Sequence, residues 1–211
     1  MVETQLIDYS LSEPKFARST VVGDDGSIVS DYRTSFSAFL DKTQDIVIGC
    51  VERRAADFQG IVSPKNVEPL QLVRYHNGQQ YQPHFDWFST EDEPNKKELK
   101  RGGQRTSSFF VYLIANCTLG ETSFVNLQLA PEVLARYCDI ITCDPADTRR
   151  GTKFIPIIGN AIFWFNIKRD LDAEGLGIGD KGTFHAGLPV GEGEKLAMNS
   201  TYLESFQFLD N

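Results

Sequence analysis

The sequence lacks an apolar run of about 18 residues, the length that a membrane-spanning helix needs. Its first ten residues, MVETQLIDYS, contain neither the basic nor the apolar region of a secretory signal peptide. The sequence therefore predicts no membrane segment and leaves two locations open. We expect a protein of the cytoplasm, or one of the endoplasmic reticulum lumen from which a leader has been removed.

Basic residues are also fewer than acidic ones. The chain has 21 Lys and Arg against 29 Asp and Glu, which gives a formal net charge of −8. A surface of this sign repels, on average, the phosphates of nucleic acids and anionic membranes, so nucleic acid is not expected as a partner. The 211 residues suffice for one hydrophobic core, and neither internal repeats nor a long low-complexity linker divides them, which predicts a single domain.

Cysteine is scarce, with Cys50, Cys117, Cys138 and Cys143 as the complete set. Four cysteines are too few for a disulfide scaffold, and the absence of CxxC pairs argues against a zinc site. The spacing in CDIITC allows Cys138 and Cys143 to close a small disulfide loop in an oxidising compartment. Four buried thiols are the alternative, and the sequence leaves both open.

One helix is predicted in the first third of the chain, from Asp41 to Phe58. Asp41 can cap its first turn, Gln44 follows three residues later, and Gly60 can end it. Its apolar sector is predicted to contain Ile46, Cys50, Ala56 and Phe58.

After this helix the chain turns to short runs rich in Val, Ile, Phe and Tyr. The runs LQLVRY, SSFFVYLI, AIFWFN and KLAMNSTYL predict strands. Several strands without alternating long helices favour an antiparallel sandwich or barrel, so the predicted fold class is α+β and mainly β. We expect an N-terminal helical part, about residues 1–65, packed outside a β core of about residues 66–208.

Two polar stretches interrupt the predicted strands. The first is STEDEPNKKELKRGGQR, residues 89–105, and the second runs from about Asn126 to Lys153. Both are long enough to be lids or binding loops. Solvated surface excursions are the alternative, because only some long loops carry function.

Histidine is rare, with three in the chain, and His84 stands two residues before Asp86 in YQPHFDW. Residues at i and i+2 of a strand point to the same face, so both side chains could reach one metal ion. This short motif alone is weak, because a histidine among aromatic residues is more often part of a core. About 100 residues later, His185 in TFHAGLP supplies a second imidazole.

Two histidines and one carboxylate on one face of an octahedron leave three positions open, as in non-haem Fe(II) sites that bind a cosubstrate and oxygen. Zinc usually takes a closed tetrahedral set or cysteine ligands. His84, Asp86 and His185 are therefore predicted to bind iron. Lys195, in EKLAMN, could pair with the distant carboxylate of a chelating dicarboxylate, since a buried anion needs a cation. An exposed lysine at a strand edge is the alternative.

Several ordered motifs support a family resemblance. They are YRTSFSAFL, YHNGQQYQPHFDWF, GGQRTSSFFVYL, GETSF, AIFWFN and the spacing from His185 to Lys195. Together, over about residues 32–205, they resemble the prolyl 4-hydroxylase branch of the Fe(II)/2-oxoglutarate dioxygenases. The resemblance implies a double-stranded β-helix, or jelly-roll, core. It also implies Fe(II), 2-oxoglutarate and O2 as cofactors and cosubstrates, with ascorbate as a further requirement.

The resemblance also implies a role for each matching residue. His84, Asp86 and His185 would be the iron ligands, and no catalytic side chain is expected beyond them. The expected 2-oxoglutarate contacts are Lys195, Tyr75 and Tyr112. Tyr81 and Arg105 are expected to face the substrate. Each of these tyrosines could instead be an ordinary core residue.

The chain departs from the family pattern at two positions. Thr201 stands where the family commonly has a tryptophan, six residues after the lysine, and Val125 stands where proline often follows GETSF. The family's tryptophan helps to shape the substrate groove, so its replacement affects substrate specificity rather than iron chemistry. Three functions therefore remain open: a hydroxylase of prolyl residues in a peptide or protein, releasing succinate and CO2; a hydroxylase of a free amino acid or another small metabolite; and a non-catalytic ligand-binding barrel.

Overall fold

The computed structural model describes residues 15–23, 26–40, 45–60, 63–91, 93–171 and 177–204. Its α-helices are α1 (Ile46–Gln59), α2 (Glu93–Gly102) and α3 (Pro131–Leu134). Its strands are β1 (Ala17–Arg18), β2 (Thr20–Gly23), β3 (Gly26–Val29), β4 (Phe36–Phe39), β5 (Gln71–His76), β6 (Tyr81–His84), β7 (Gln104–Leu119), β8 (Thr122–Phe124), β9 (Thr152–Phe154), β10 (Ala161–Phe165), β11 (Ile167–Leu171), β12 (Gly177–Gly179), β13 (His185–Gly187) and β14 (Val190–Glu204).

Two antiparallel sheets form the centre of the fold. The larger has the strand order β1-β4-β5-β14-β7-β10, and the smaller has the order β6-β13-β8-β9. Two hairpins, β2–β3 and β11–β12, form separate two-stranded sheets. The four strand runs predicted from the sequence lie in β5, β7, β10 and β14. The predicted mainly β, double-stranded β-helix fold is confirmed.

Strand β14 lies between β5 and β7 in the larger sheet, and its side chains point alternately to the two faces of that sheet. Successive side chains of a strand point to opposite faces. Leu196 and Met198 join the apolar cluster beneath α1. Lys195 lies on the opposite face, beside Tyr75 of the neighbouring strand β5. One face of this sheet therefore packs on a helix, and the other faces the smaller sheet.

Helix α1 begins with a side-chain cap and ends at a glycine. The carboxylate of Asp45 accepts a hydrogen bond of 2.7 Å from the backbone N–H of Val47. Gly60 ends the helix at φ 78°, a left-handed conformation that glycine adopts without strain. The predicted end is therefore confirmed. The predicted cap, Asp41, lies outside the described residues.

The predicted apolar sector of this helix is confirmed at Ala56 and wrong at its other three residues. Ile46, Cys50 and Phe58 are exposed. The face turned to the protein carries Ile48, Glu52 and Ala56, which are spaced four residues apart. Ile48 is fully buried in the same cluster as Leu40, Leu70, Leu72 and Leu113. Position relative to the sheet, rather than side-chain polarity alone, decides which residues of this helix are buried.

The chain before α1 also differs from the expected helical segment. Its described residues form four strands, β1 to β4. Phe36–Phe39 pair with Gln71–Arg74 and so extend the larger sheet. The β structure therefore includes the motif YRTSFSAFL, which lies upstream of the predicted core boundary at residue 66.

The first polar stretch forms a helix rather than the expected loop. Helix α2 occupies most of residues 89–105, and its exposed face carries the ion pairs Glu93–Lys96 and Glu98–Arg101, each spaced i, i+3. Leu99 is buried and anchors the helix. The second stretch, 126–153, contains the short helix α3, a disulfide between Cys138 and Cys143, and the start of β9.

Candidate active site

Two histidines from opposite ends of the core sequence meet across one strand pair. His84 ends β6, His185 begins β13, and the two residues are direct antiparallel partners. Their ring centres lie 4.3 Å apart. Asp86 lies just beyond the end of β6. One ligand atom from each of the three residues lies within 4.8 Å of the others. The structure thus brings together the three predicted metal ligands.

Backbone carbonyls orient both imidazoles. The Nδ1 atom of His84 lies 2.8 Å from the carbonyl oxygen of Gln82, and Nδ1 of His185 lies 2.8 Å from that of Thr183. In the tautomer that satisfies these bonds, each Nδ1–H donates and the lone pair of Nε2 stays free. The two Nε2 atoms lie 3.6 and 3.8 Å from Oδ1 of Asp86. Three electron-pair donors therefore converge on one small volume.

The protonation states of these side chains suit a metal site. Burial, followed by the neighbouring His185, lowers the pKa of His84 to about 3, so its imidazole is neutral at pH 7. Burial alone would raise the pKa of Asp86. The two histidines, Arg105 and a hydrogen bond from Ser108 outweigh burial and hold that pKa below its usual range. A neutral imidazole beside a carboxylate is the form in which such ligands bind metal.

Aromatic side chains hold the histidine rings in place. Tyr81 stacks on His84 with ring centres 3.5 Å apart and an interplanar angle of 17°. Phe124 stacks on His185 at 5.4 Å, and the edge of Trp164 meets His185 at 4.9 Å. Aromatic residues around the two histidines therefore support the site, and the histidines are not simply part of an aromatic core.

A hydrogen-bond chain supports the carboxylate from behind. Ser108 Oγ donates to Asp86 Oδ2 at 2.7 Å, and Asn166 Nδ2 donates to Ser108 Oγ at 2.9 Å. Trp164 Nε1 in turn donates to Asn166 Oδ1 at 2.8 Å. No role was predicted for these three residues from the sequence. Strand periodicity could have indicated Ser108, which lies four residues before Tyr112 and therefore on the same face of β7. A polar residue at such an inward position suggests a role in the site.

A cavity of about 220 Å³ adjoins the three predicted ligands. Tyr75, Thr122 and Gly187 line it together with His84, Asp86 and His185. Tyr112 is buried and donates a hydrogen bond of 2.8 Å from its hydroxyl to Thr122 Oγ1, so it reaches the cavity through Thr122. Burial raises the pKa of both Tyr75 and Tyr112, which keeps their hydroxyls neutral.

Lys195 is fully buried behind this cavity. Its Nζ donates a hydrogen bond of 2.6 Å to the carbonyl oxygen of Gly120 and lies 4.5 Å from the centre of the Tyr75 ring. Burial lowers the pKa of Lys195 to about 8, although Cys117 and Glu121 oppose the shift. No carboxylate in the described part of the chain lies within 4.0 Å of this ammonium group. A buried cation of this kind is unusual and calls for an anion.

The two predicted substrate residues, Tyr81 and Arg105, line both the inner cavity and the adjoining surface of the protein. Burial raises the pKa of Tyr81 to about 12, so this residue is a neutral phenol. Arg105 binds Glu68 with two nitrogens, Nε at 2.9 Å and Nη2 at 3.0 Å. Arg33 lies 4.6 Å over the Tyr81 ring and was not singled out from its motif YRTSF. Both arginines border the cavity, and Arg33 packs on the tyrosine ring.

A longer groove leads outward from His84 and Asp86. Its volume is about 920 Å³. Aromatic side chains along it include Tyr32, Tyr81, Phe85 and Trp87. The groove offers far more room than the inner cavity, and its wall combines these aromatic rings with polar residues such as Ser89, Thr90 and Lys181.

His76 and Thr201 lie in contrasting surroundings. His76 is exposed, lies 3.9 Å from Glu194, and precedes the turn at Gly78, so it is not part of the site. Thr201, at the position of the family's tryptophan, is buried and lines the inner cavity.

Comparison with known proteins gives the family. Residues 70–202 match the family model described as 2OG-Fe(II) oxygenase superfamily. The chain belongs to this superfamily. The matched segment contains His84, Asp86, His185 and Lys195. The superfamily's name states the metal and the cosubstrate, Fe(II) and 2-oxoglutarate, and two imidazoles with a carboxylate are the donor set that suits this metal.

Similar proteins include prolyl hydroxylases. The chain is 34% identical over 189 residues to prolyl 4-hydroxylase 2 of Arabidopsis thaliana and 31% identical over 191 residues to prolyl 4-hydroxylase subunit alpha-3 of Rattus norvegicus. These matches cover 88% and 90% of this chain but only 58% and 29% of the two relatives. The chain therefore spans little more than half of one relative and under a third of the other.

A solved structure shares the fold. It is a viral collagen prolyl hydroxylase from Paramecium bursaria Chlorella virus 1 in complex with 2-oxoglutarate, with a TM-score of 0.55 and 26% identity. The match covers 80% of this chain and 78% of the viral one. Among the described residues, every helix is too short or too polar to span a lipid bilayer.

Proposed function

We propose that this oxygenase hydroxylates prolyl residues in a peptide or protein, consuming 2-oxoglutarate and O2 and releasing succinate and CO2. Similarity to proteins described as prolyl 4-hydroxylases supports the type of reaction. The observation that carries the peptide substrate is the aromatic groove that begins at His84 and Asp86.

The groove suits an extended chain. Its volume of about 920 Å³ lies at the upper end of the range typical of ligand pockets, which is more than a single amino acid fills. Proline-rich segments adopt a polyproline II conformation and dock into grooves lined by aromatic rings. Tyr32 meets Tyr81 edge to face with ring centres 6.2 Å apart, and Phe85 packs beside Trp87 at 4.5 Å. Such rings supply flat surfaces for pyrrolidine rings.

His84 Nε2, His185 Nε2 and Asp86 Oδ1 would hold the Fe(II). When bound, the metal with its cosubstrate supplies the oxidation of an unactivated C–H bond. The protein holds the imidazole of His84 neutral and fixes both histidine rings through backbone carbonyls and aromatic neighbours. The donor atoms are therefore close to their binding arrangement before any ion arrives.

Lys195 would receive the distal carboxylate of 2-oxoglutarate. The ammonium group is buried, and no carboxylate of the described residues lies within 4.0 Å of it. Tyr75 lines the cavity between Lys195 and the candidate ligands, and Tyr112 positions Thr122 in the same wall. Placing the diacid here neutralises a charge that burial otherwise disfavours. Tyr81 and Arg105 would contact the peptide where the cavity opens into the groove.

Substrate-dependent succinate production tests the proposal. The protein is supplied with Fe(II), 2-oxoglutarate and ascorbate, and then with either a proline-rich peptide or free proline. We expect the peptide, but not free proline, to accelerate succinate formation, and mass spectrometry to locate one added oxygen on a prolyl residue. His84→Ala is the inactive control, and turnover in that variant equal to wild type would contradict the iron site.

A groove variant sharpens this test. Tyr32 is partly exposed and contacts Tyr81, but it does not touch the candidate ligands. Tyr32→Ala is expected to raise the KM for the peptide roughly 2- to 10-fold, the effect of losing one aromatic contact. The slow turnover of 2-oxoglutarate without peptide should remain unchanged. An unchanged peptide KM would place the substrate outside this groove.

A second candidate is hydroxylation of a free amino acid or another small metabolite. Thr201 favours it, because this small residue occupies the place of a groove-shaping tryptophan and lines the inner cavity. In that case free amino acids would stimulate succinate formation and peptides would not. A protein that produced no succinate with any substrate, despite bound iron, would fit the non-catalytic barrel.

A further inference from the structure

We propose that Trp164, Asn166 and Ser108 form a directional hydrogen-bond relay that holds Asp86 with one carboxylate oxygen turned toward the metal. The inference rests on the proposed iron site, and it assigns these three as positioning residues rather than ligands. The relay joins β10, the residue after it, and β7 to the loop that carries Asp86.

The chemistry of the donors fixes the direction of every bond. An indole N–H can only donate, so Asn166 must turn its amide oxygen toward Trp164. The amide NH2 of Asn166 then faces Ser108 and donates to its oxygen. A hydroxyl has a single hydrogen, and with its oxygen already accepting, that hydrogen goes to Asp86 Oδ2. Oδ1 is left facing the two Nε2 atoms.

The relay is buried, so the direction of its hydrogen bonds cannot readily change. Asn166 and Ser108 are fully buried, and Trp164 and Asp86 are each only 8% exposed. Water therefore cannot readily replace a lost partner, and an unsatisfied group at this depth is costly. If Asn166 were to rotate its amide by half a turn, its oxygen would face Ser108. Ser108 would then donate to Asn166 and leave Asp86 Oδ2 without its donor.

Trp164 also contacts the other side of the site. The edge of its ring meets His185 at 4.9 Å, while its N–H starts the relay to Asp86. A phenylalanine at this position keeps an aromatic ring beside His185 and Phe124 but removes the N–H. This substitution separates the relay from the packing.

Metal binding, measured with Co(II) or anaerobic Fe(II) alone, provides the test. Ser108→Ala removes the donor to Asp86, and loss of such an outer partner typically weakens metal binding about 10- to 100-fold. Ser108→Thr keeps a hydroxyl and should bind within a few-fold of wild type. Trp164→Phe should weaken binding several-fold although it touches neither Asp86 nor the ion. The Co(II) absorption spectrum should change in Ser108→Ala and Trp164→Phe, because the carboxylate is no longer fixed.

The double variant decides whether the residues act in series. In a relay, Trp164→Phe acts only through Ser108, so Ser108→Ala/Trp164→Phe should bind metal no more weakly than Ser108→Ala alone. Fully additive losses would overturn the relay, as would wild-type affinity and spectrum in Ser108→Ala. Ile48→Ala, a core change on the buried face of α1, is the matched control that lowers Tm while leaving metal affinity intact. A wild-type protein that failed to bind either metal would instead contradict the iron site itself.

Discussion

The ammonium group of Lys195 lies 4.5 Å from the centre of the Tyr75 ring, and the two residues are direct partners on the paired strands β14 and β5. The ammonium group contacts this aromatic face and donates a hydrogen bond to the Gly120 carbonyl. Both stabilise a cation less completely than a carboxylate does. The strand can therefore bury this charge, and an incoming anion would stabilise it further.

Replacing Lys195 with Met tests this use of the charge. The substitution keeps length and apolar volume but removes the cation, so binding of 2-oxoglutarate should weaken by about 2–5 kcal/mol, as for a truncated buried ion pair. Titration of 2-oxoglutarate against bound metal measures the loss. Metal affinity without cosubstrate should stay at the wild-type value, and an unaltered cosubstrate requirement would mean that Lys195 serves another purpose.

Stability without ligand should rise with pH between about 8 and 10.5. Lys195 has a folded-state pKa of about 8 against an ordinary value of 10.5. Between these values the unfolded chain holds the proton and the folded protein does not, so the free energy of unfolding increases with pH, by roughly 3 kcal/mol in all. Below pH 8 both states are protonated and the slope from this group vanishes.

Denaturant titrations across this window measure that slope. Cys117 and Glu121 are the titratable neighbours that oppose the shift, and Lys195→Met leaves both in place. Subtracting the variant's pH profile from that of the wild type therefore isolates the lysine. Two superimposable profiles would show that the ammonium is not desolvated. The same sign predicts weaker binding of 2-oxoglutarate above pH 8, because binding requires the protonated amine.

Two histidines offer a matched pair for the metal site. His84→Ala should abolish tight binding of Fe(II) or Co(II), since His185 and Asp86 alone provide two donors. His76→Ala changes an exposed histidine outside the site and should bind metal as the wild type does. Isothermal titration with Co(II) gives both affinities. Equal affinities in the two variants would refute the assignment of His84.

Helix α1 offers a second matched pair, for stability. Ile48 is fully buried, whereas Ile46 is 88% exposed on the same helix. Ile48→Ala should lower the free energy of unfolding by about 2–5 kcal/mol, while Ile46→Ala should change it by less than about 0.5 kcal/mol. Urea denaturation measures both. Similar losses at the two positions would show that the helix packs through a different face.

The strands and the three clustered side chains could be predicted because their signals are local or chemically narrow. LQLVRY and AIFWFN have strand composition, and His84 with Asp86 has the i, i+2 spacing that places two ligands on one face. His185 was predicted as the second imidazole of the set and Lys195 as the cation for a buried dicarboxylate, and the resemblance implied the same roles. The approach of His185 to His84 and Asp86 depends on long-range strand pairing, which periodicity alone does not specify.

Other features depended on tertiary contacts. STEDEPNKKELKRGGQR is polar enough to resemble a loop, but its i, i+3 ion pairs and the buried Leu99 make it a helix. The buried face of α1 was predicted wrongly because apolar character does not fix burial: Ile46 is 88% exposed, and Phe58 contacts Phe109 and Phe163 of the larger sheet yet stays 67% exposed. Ser108 and Asn166 were missed because the role of a buried polar residue depends on its hydrogen-bond partners in the folded protein, which the sequence does not specify.

Pairing of His84 with His185 also links metal binding to assembly of the fold. About 100 residues separate them in the chain, and they become neighbours only when β6 and β13 align. A slip of one residue would turn one imidazole to the reverse side of the sheet. During refolding, the recovery of metal-binding capacity should therefore report when these two distant segments have found their native alignment.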